Sequence, residues 1–293
     1  MNSPFFISFS NSDVGLIKEK EFWISCRKGD LEKVKELAKQ MTDINWSNEK
    51  KESKTGLHIA CDQGRIEIVQ YLLTLPQIQV NQGDTRGITP LHLACLRGRE
   101  EIVKILLRDE RVDLNQGDQY ERSPLNLACL RGREEIVKIL LRDERVNVNQ
   151  CDREGKTPLH IACEQRNEEI VKLLLRNGRT GVNQEDARGR TPLWITCKTG
   201  EDENVKFLLA NRRRIDVTNK SKPGDEDWNN LSATEIARLW TFHEIADLID
   251  EYERNPKEVM IKLRYEFGKN DYFISFFFFP TPFPSLLFPF ISF

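Results

Sequence analysis

Apolar positions in this chain recur on a long beat. Leu57, Leu91, Leu125, Leu159 and Leu193 fall 34 residues apart, each inside a short apolar block: TGLHIAC, TPLHLAC, SPLNLAC, TPLHIAC and TPLWITC. A second apolar run follows in every unit, reading VQYLL, VKILL, VKILL, VKLLL and VKFLL. Residues 93–112 recur unchanged as 127–146. Each unit therefore predicts a turn, a short helix, a loop and a longer helix. Thr89 can cap the first helix, and Pro90 at its first position gives up a donor that would be unpaired anyway. Gly98 falls where that helix must stop. Ile102, Val103, Leu106 and Leu107 then share one face of the second helix, while Glu100, Glu101, Lys104 and Arg108 take the other.

A unit of this kind cannot bury its apolar face alone, so it must stack on its neighbours. The blocks Thr89-Pro90-Leu91-His92-Leu93-Ala94 and Thr157-Pro158-Leu159-His160-Ile161-Ala162 carry the T-P-L-H-x-A signature. In these residues the chain resembles the ankyrin-repeat family. The resemblance implies an all-α fold, a solenoid of stacked helix-turn-helix units with projecting turn loops. The family period is about 33; the extra residue here is assigned to the Asp-Glu-Arg-Val connection at 109–112.

Five full repeats are expected over 52–216, with degenerate capping units on both sides, so that the repeat domain covers 18–252. The first cap is signalled by Cys26, Gly29, Leu31, Val34 and Leu37. The last is offset by seven residues after a Lys/Pro/Gly/Asp-rich linker at 218–230, placing Ser232-Ala233 at the Thr-Pro position and Ile245, Leu248 and Ile249 in the second helix. Residues 1–17 are expected to be disordered. Residues 253–268 are expected to form a short helix docking Val259, Leu263 and Phe267. Residues 269–293 form a Phe/Pro-rich tail: nine phenylalanines lie beyond Tyr272, and 272–293 is uncharged. Pro280, Pro282, Pro284 and Pro289 would break a helix there, so a membrane anchor is not the leading reading.

The formal net charge of −2 with 31% charged residues gives no nucleic-acid footprint. No export signal is read at the start, so seven cysteines suggest reduced thiols and a cytoplasmic protein. Cys61, Cys95, Cys129, Cys163 and Cys197 recur once per unit on first helices. Stacked helices lie about 8–10 Å apart, too far for a disulfide, which needs Cα atoms within about 7 Å, so these are core residues. Cys151 lies off the pattern. His58, His92 and His160 sit in the signature, where an imidazole can hydrogen-bond the turn backbone. Asn126 could keep such a bond, and Trp194 is expected to mimic it poorly. No metal, cofactor or catalytic site is expected, because no nucleotide, hydrolase or zinc-protease motif is present. Arg212, Arg213 and Arg214, with Lys220 and Lys222, read as a solvated loop or a nuclear-import cluster.

The resemblance implies that turn tips and first-helix ends line a groove that takes a protein partner. Carried over by position, the candidate residues are Arg86, Ile88, Leu96, Arg97, Tyr120, Arg122, Leu130, Arg131, Lys156, Arg188, Arg190 and Trp194. Arginine and tyrosine are favoured interface anchors, so a groove basic in its middle and an acidic partner are expected. The same residues could be ordinary solvated tips, and Trp194 could instead fill space near the last cap. Two departures matter. Arg166 stands where other units have glycine, so strain or a shifted loop is expected. Gly56 replaces proline, which should loosen that helix start. The expected protein is a monomeric scaffold or adaptor and not an enzyme; a membrane-tethered scaffold using the tail, or a fragment of a larger signalling protein, are the readings kept beside it.

Overall fold

The computed structural model describes residues 11–222 and 230–270. Residues 1–10 of the expected disordered segment, the middle of the linker at 223–229 and the tail from 271 lie outside the described residues. The chain forms two compact units that meet between Arg153 and Glu154.

The first unit opens with α1 (Asn11–Lys28) and α2 (Leu31–Ala38). Helix α1 thus begins ahead of the boundary expected at 18, and no proline interrupts it. A small antiparallel pair, β1 (Ser47–Asn48) and β2 (Lys54–Thr55), leads into α3 (Gly56–Gln63) and α4 (Ile66–Leu73). Two further helix pairs complete the unit: α5 (Pro90–Arg97) with α6 (Glu100–Leu107), and α7 (Pro124–Leu130) with α8 (Glu134–Leu141). The second unit holds α9 (Pro158–Glu164), α10 (Glu168–Arg176), α11 (Pro192–Thr199), α12 (Asp202–Leu209), α13 (Ala233–Leu239), α14 (His243–Arg254) and α15 (Pro256–Asn270).

Local chemistry starts and stops the first helices as their residues require. The Thr89 hydroxyl accepts from the His92 N–H, and His92 Nδ1 accepts from the Thr89 N–H at 3.1 Å. Thr55 with His58, Ser123 with Asn126, Thr157 with His160 and Ser232 with Glu235 close the same box. Beyond each first helix the chain turns through a left-handed residue, Gly98 at φ 70° being one example. Arg166 must hold φ 58° without the freedom of glycine, so the strain foreseen there is present. Its guanidinium pairs with Glu201, 3.3 Å away at the surface, and such pairs contribute little. Replacing Arg166 with Gly is expected to stabilise the protein by about 1 kcal/mol, seen as a higher denaturant midpoint with an unchanged slope. Gly56 has a different reason from the looseness expected. It is buried, and a Cβ there would lie 2.7 Å from the Phe22 ring of α1. The glycine makes room for the first cap.

Hydrogen bonds between successive repeats tie each unit together in three rows. In the first row a side-chain N at the histidine position meets the carbonyl just ahead of the next helix cap. Trp23 Nε1 donates to Lys54 O, and His58 and His92 Nε2 bond Ile88 O and Arg122 O in the first unit. His160 bonds Arg190 O in the second. Asn126 is shorter and reaches Gln150 O instead. Trp194 departs from expectation: its Nε1 donates to Leu231 O at 2.9 Å, the same position once the seven-residue offset is counted. An indole supplies the donor of this bond as well as an imidazole does, although it cannot close the capping box.

The second row is asparagine. Asn81 Nδ2 donates to Arg111 O, and its Oδ1 accepts from Asp113 N; Asn45 and Asn115 repeat this in the first unit and Asn183 in the second. The third row is arginine, in the connection to which the extra residue is assigned. Arg111 pairs with Asp109 at 2.6 Å and donates to Leu73 O, a carbonyl left over at the end of α4. Arg145 does the same with Asp143 and Leu107 O, and Arg213 donates to Leu175 O with Asn211 in place of the aspartate. Arg213 is therefore a structural clamp rather than part of a free basic cluster. Helix α15 packs on α14 of the last cap and also on α12 of the repeat before it, with Val259, Leu263 and Phe267 buried and the Phe267 ring 4.6 Å from that of Phe207. Its Arg264 donates to Ala210 O at the end of α12.

Candidate partner-binding surface

The turn tips are held by buried aspartates. Asp84 Oδ1 accepts from the N–H groups of Arg86 and Ile88, and Asp118 Oδ1 accepts from those of Tyr120 and Arg122. Backbone bonds run from tip to tip, Thr85 N to Glu52 O and Gln119 N to Arg86 O. In the second unit Asp186 holds Arg188 and Arg190, and Lys222 N donates to Arg188 O. Side chains on these tips therefore leave from a fixed backbone, which lowers the ordering cost of binding.

In the first unit the candidates come together. Ile88 is buried with Leu93 and Leu127, and the half-buried Leu96 and Leu130 pack against this cluster. Tyr120 stands out from its tip with 48% of its surface exposed. The Arg122 guanidinium lies 4.7 Å from the centre of its ring and pairs with Asp118 at 2.6 Å. The residue after Tyr120, Glu121, holds φ 62° where two other tips carry Gly87 and Gly189 at φ 72°. Arg86 lies 3.2 Å from Glu52, and Arg97 Nε lies 2.7 Å from Asp62. Burial alone would raise the Asp62 carboxyl, but Arg97 and Gln63 hold it below its ordinary value. Arg131 is exposed and makes no ion pair among the described residues of its unit.

In the second unit Lys156 lies between Glu154 at 3.1 Å and Glu164 at 2.9 Å. Arg188 is exposed at its tip. Arg190 pairs with Asp186 at 2.6 Å and lies over the Trp194 ring. Trp194 itself is only 1% exposed. It is not a surface anchor, because the histidine position it occupies faces the core and the next repeat. Most of the basic side chains expected to charge this surface thus have a carboxylate of their own. Two residues were missed. Leu239 and Trp240 end α13 with 54% and 43% of their surface exposed. They stand where Leu96-Arg97 and Leu130-Arg131 stand in their repeats, and the seven-residue offset of the last unit was the signal that could have found them.

The signature histidines and repeat cysteines lie in the core. Burial pushes the His58 imidazole down to about 4 and lowers His92 and His160 as well. The six repeat cysteines are buried free thiols, and burial pushes them up. Among the described residues no group of histidines, cysteines and carboxylates is placed to hold a metal ion, and no helix is long and apolar enough to cross a membrane.

None of the curated proteins is similar enough to this chain to count as a relative. Among solved structures, the ankyrin repeat domain of Bcl-3, described as a unique member of the IkappaB protein family, matches with a TM-score of 0.67. The match has 23% sequence identity and covers 76% of this chain and 96% of that one, a likeness of fold. The family model for ankyrin repeats in three copies matches residues 22–118, 75–150 and 125–221. These overlapping matches run from the first cap through α12 and leave out the last unit beyond 221; the chain belongs to the ankyrin-repeat family.

Proposed function

We propose that this protein is a monomeric cytoplasmic scaffold or adaptor whose tips and first-helix ends bind a protein partner, without a cofactor and without contact to nucleic acid or membrane. Ankyrin repeats are in general protein–protein interaction modules. The observation that carries the reading is the exposed Tyr120, stacked by Arg122 on a tip whose backbone is locked, in the same unit as the half-buried Leu96 and Leu130, which pack on the Ile88 cluster. Aromatic side chains held from a fixed backbone and apolar positions are where binding energy concentrates in interfaces. In the second unit Leu239 and Trp240 offer a similar pair.

Proximity labelling of the full chain in cells tests this, with Tyr120→Ala, Leu96→Ser and Leu130→Ser combined as the variant. Specific partners are expected to be lost by more than tenfold, since truncating central anchors costs about 2 kcal/mol or more each, while the circular dichroism spectrum stays the same. Partners that persist unchanged on the folded variant would place binding elsewhere.

A further inference from the structure

An exact internal duplication exposes one position that its copy does not share. Residues 93–112 and 127–146 have the same sequence, so Leu96-Arg97 and Leu130-Arg131 are the same dipeptide at the same place in successive repeats. Arg97 reaches back to the repeat before it, and the residue standing there differs between the two copies. Behind Arg97 stands Asp62, whose Oδ1 is 2.7 Å from Arg97 Nε. That carboxylate is itself 10% exposed and held by Gln63, so the pair is a settled part of the surface. At the corresponding position behind Arg131 the chain has Leu96, which offers no charge. Arg131 is exposed and makes no ion pair among the described residues of its unit, and it directly follows Leu130, which packs on the Ile88, Leu93 and Leu127 cluster.

Resting on the protein-binding reading above, we propose that Arg131 is the anchor for a carboxylate of the partner, presented on a segment whose neighbouring large apolar side chain lies on Leu96 and Leu130. A guanidinium beside an apolar floor matches an aspartate or glutamate next to a leucine or aromatic residue. The apolar side chain excludes water and strengthens the ion pair beyond what an exposed pair gives. The floor has nothing to offer the sugar and phosphate of a nucleic acid. Arg97 does not compete for the carboxylate, because Asp62 already cancels it. The repeat that looks identical in sequence is thus silent, and specificity is set by the residue one repeat upstream.

The test uses the full chain and a random dodecamer peptide library displayed on phage. Selected sequences are expected to carry Asp or Glu within two residues of Leu, Ile, Phe or Trp. Synthetic peptides made from them should bind at least tenfold more weakly to Arg131→Gln. They should bind within twofold to the double variant Asp62→Asn, Arg97→Gln, which removes the settled pair without changing net charge. Equal losses in the two variants, no acidic enrichment, or no enriched sequences at all would overturn the proposal. If enriched peptides lack acidic residues but are lost with Tyr120→Ala, the carboxylate anchor falls and the binding surface stands. Acidic peptides insensitive to Tyr120→Ala, Leu130→Ser and Arg131→Gln alike would remove both. A single-stranded oligonucleotide whose binding depended on Arg131 would also overturn it.

Discussion

Lowering the pH from 7 to 5 is expected to destabilise the protein by about 2 kcal/mol or more, with most of the loss falling before the carboxylates begin to titrate. Unfolded, the His58 ring takes up a proton near pH 6.5; in the native protein burial holds it near 4, against smaller upward pulls from its bond to Ile88 O and from Asp84. Between those values the unfolded chain binds a proton that the native chain refuses, so native stability rises with pH across this window and is lost as pH falls through it. The cost is about 1.4 kcal/mol for each pH unit below the unfolded value. His92 and His160 are lowered by the same burial and add in the same direction. Denaturant unfolding at half-unit pH steps measures the slope. Changing His58 to Asn, the residue the chain already uses at 126, should reduce the slope between pH 6.5 and the native value of about 4 and leave it unchanged well below that. A slope identical to wild type would mean that the ring is protonated in the native state.

Asn204→Val is expected to raise stability by about 1–3 kcal/mol. Asn204 is completely buried on α12, and neither its amide oxygen nor its nitrogen has a hydrogen-bond partner. The same position in other repeats holds Ile68, Ile102, Ile136 and Ile170, each buried. An amide taken from water without a partner costs more than an apolar side chain of similar shape. The reverse change, Ile170→Asn, should cost about 3 kcal/mol or more, because it loses apolar burial and also buries an unpaired amide. Thermal unfolding of both variants decides the matter. If Asn204→Val lowers the melting temperature, the Asn204 amide is satisfied in solution.

Much of the fold was legible because its signals recur. The beat of Leu57 to Leu193, the Thr-Pro caps and the glycine stops each specify a local conformation, and each appears five times with small changes. Even the last cap could be aligned despite its offset. The docking of Val259, Leu263 and Phe267 followed from a helical stripe after Asn255-Pro256. What escaped the sequence depends on contacts between one repeat and the next. Trp194 looked like an anchor because tryptophan often is one, yet its position is set by the histidine row. The asparagine and arginine rows were visible as spacing but carried no apolar signal. Arg97 and Arg131 cannot be told apart by their own neighbours in the chain, since those are identical; only Asp62 and Leu96 behind them differ. The tip strain at Glu121 was legible by the comparison that exposed Arg166, since Gly87 and Gly189 stand at its position in other repeats, and was missed.

The three rows of inter-repeat bonds also govern how the gene for such a chain can change length. In the first unit donors and acceptors recur at fixed offsets, as in His58 to Ile88 and His92 to Arg122. Because 93–112 and 127–146 are the same sequence, unequal crossing-over between their coding segments would add or remove a whole repeat and rejoin every row. Insertions of another size within these repeats would leave a cap, a clamp arginine and a ladder asparagine out of step at once, whereas the seven extra residues before the last unit lie between the arginine clamp and the next cap. Growth or loss in single repeats is therefore the cheapest mutational route open to this molecule.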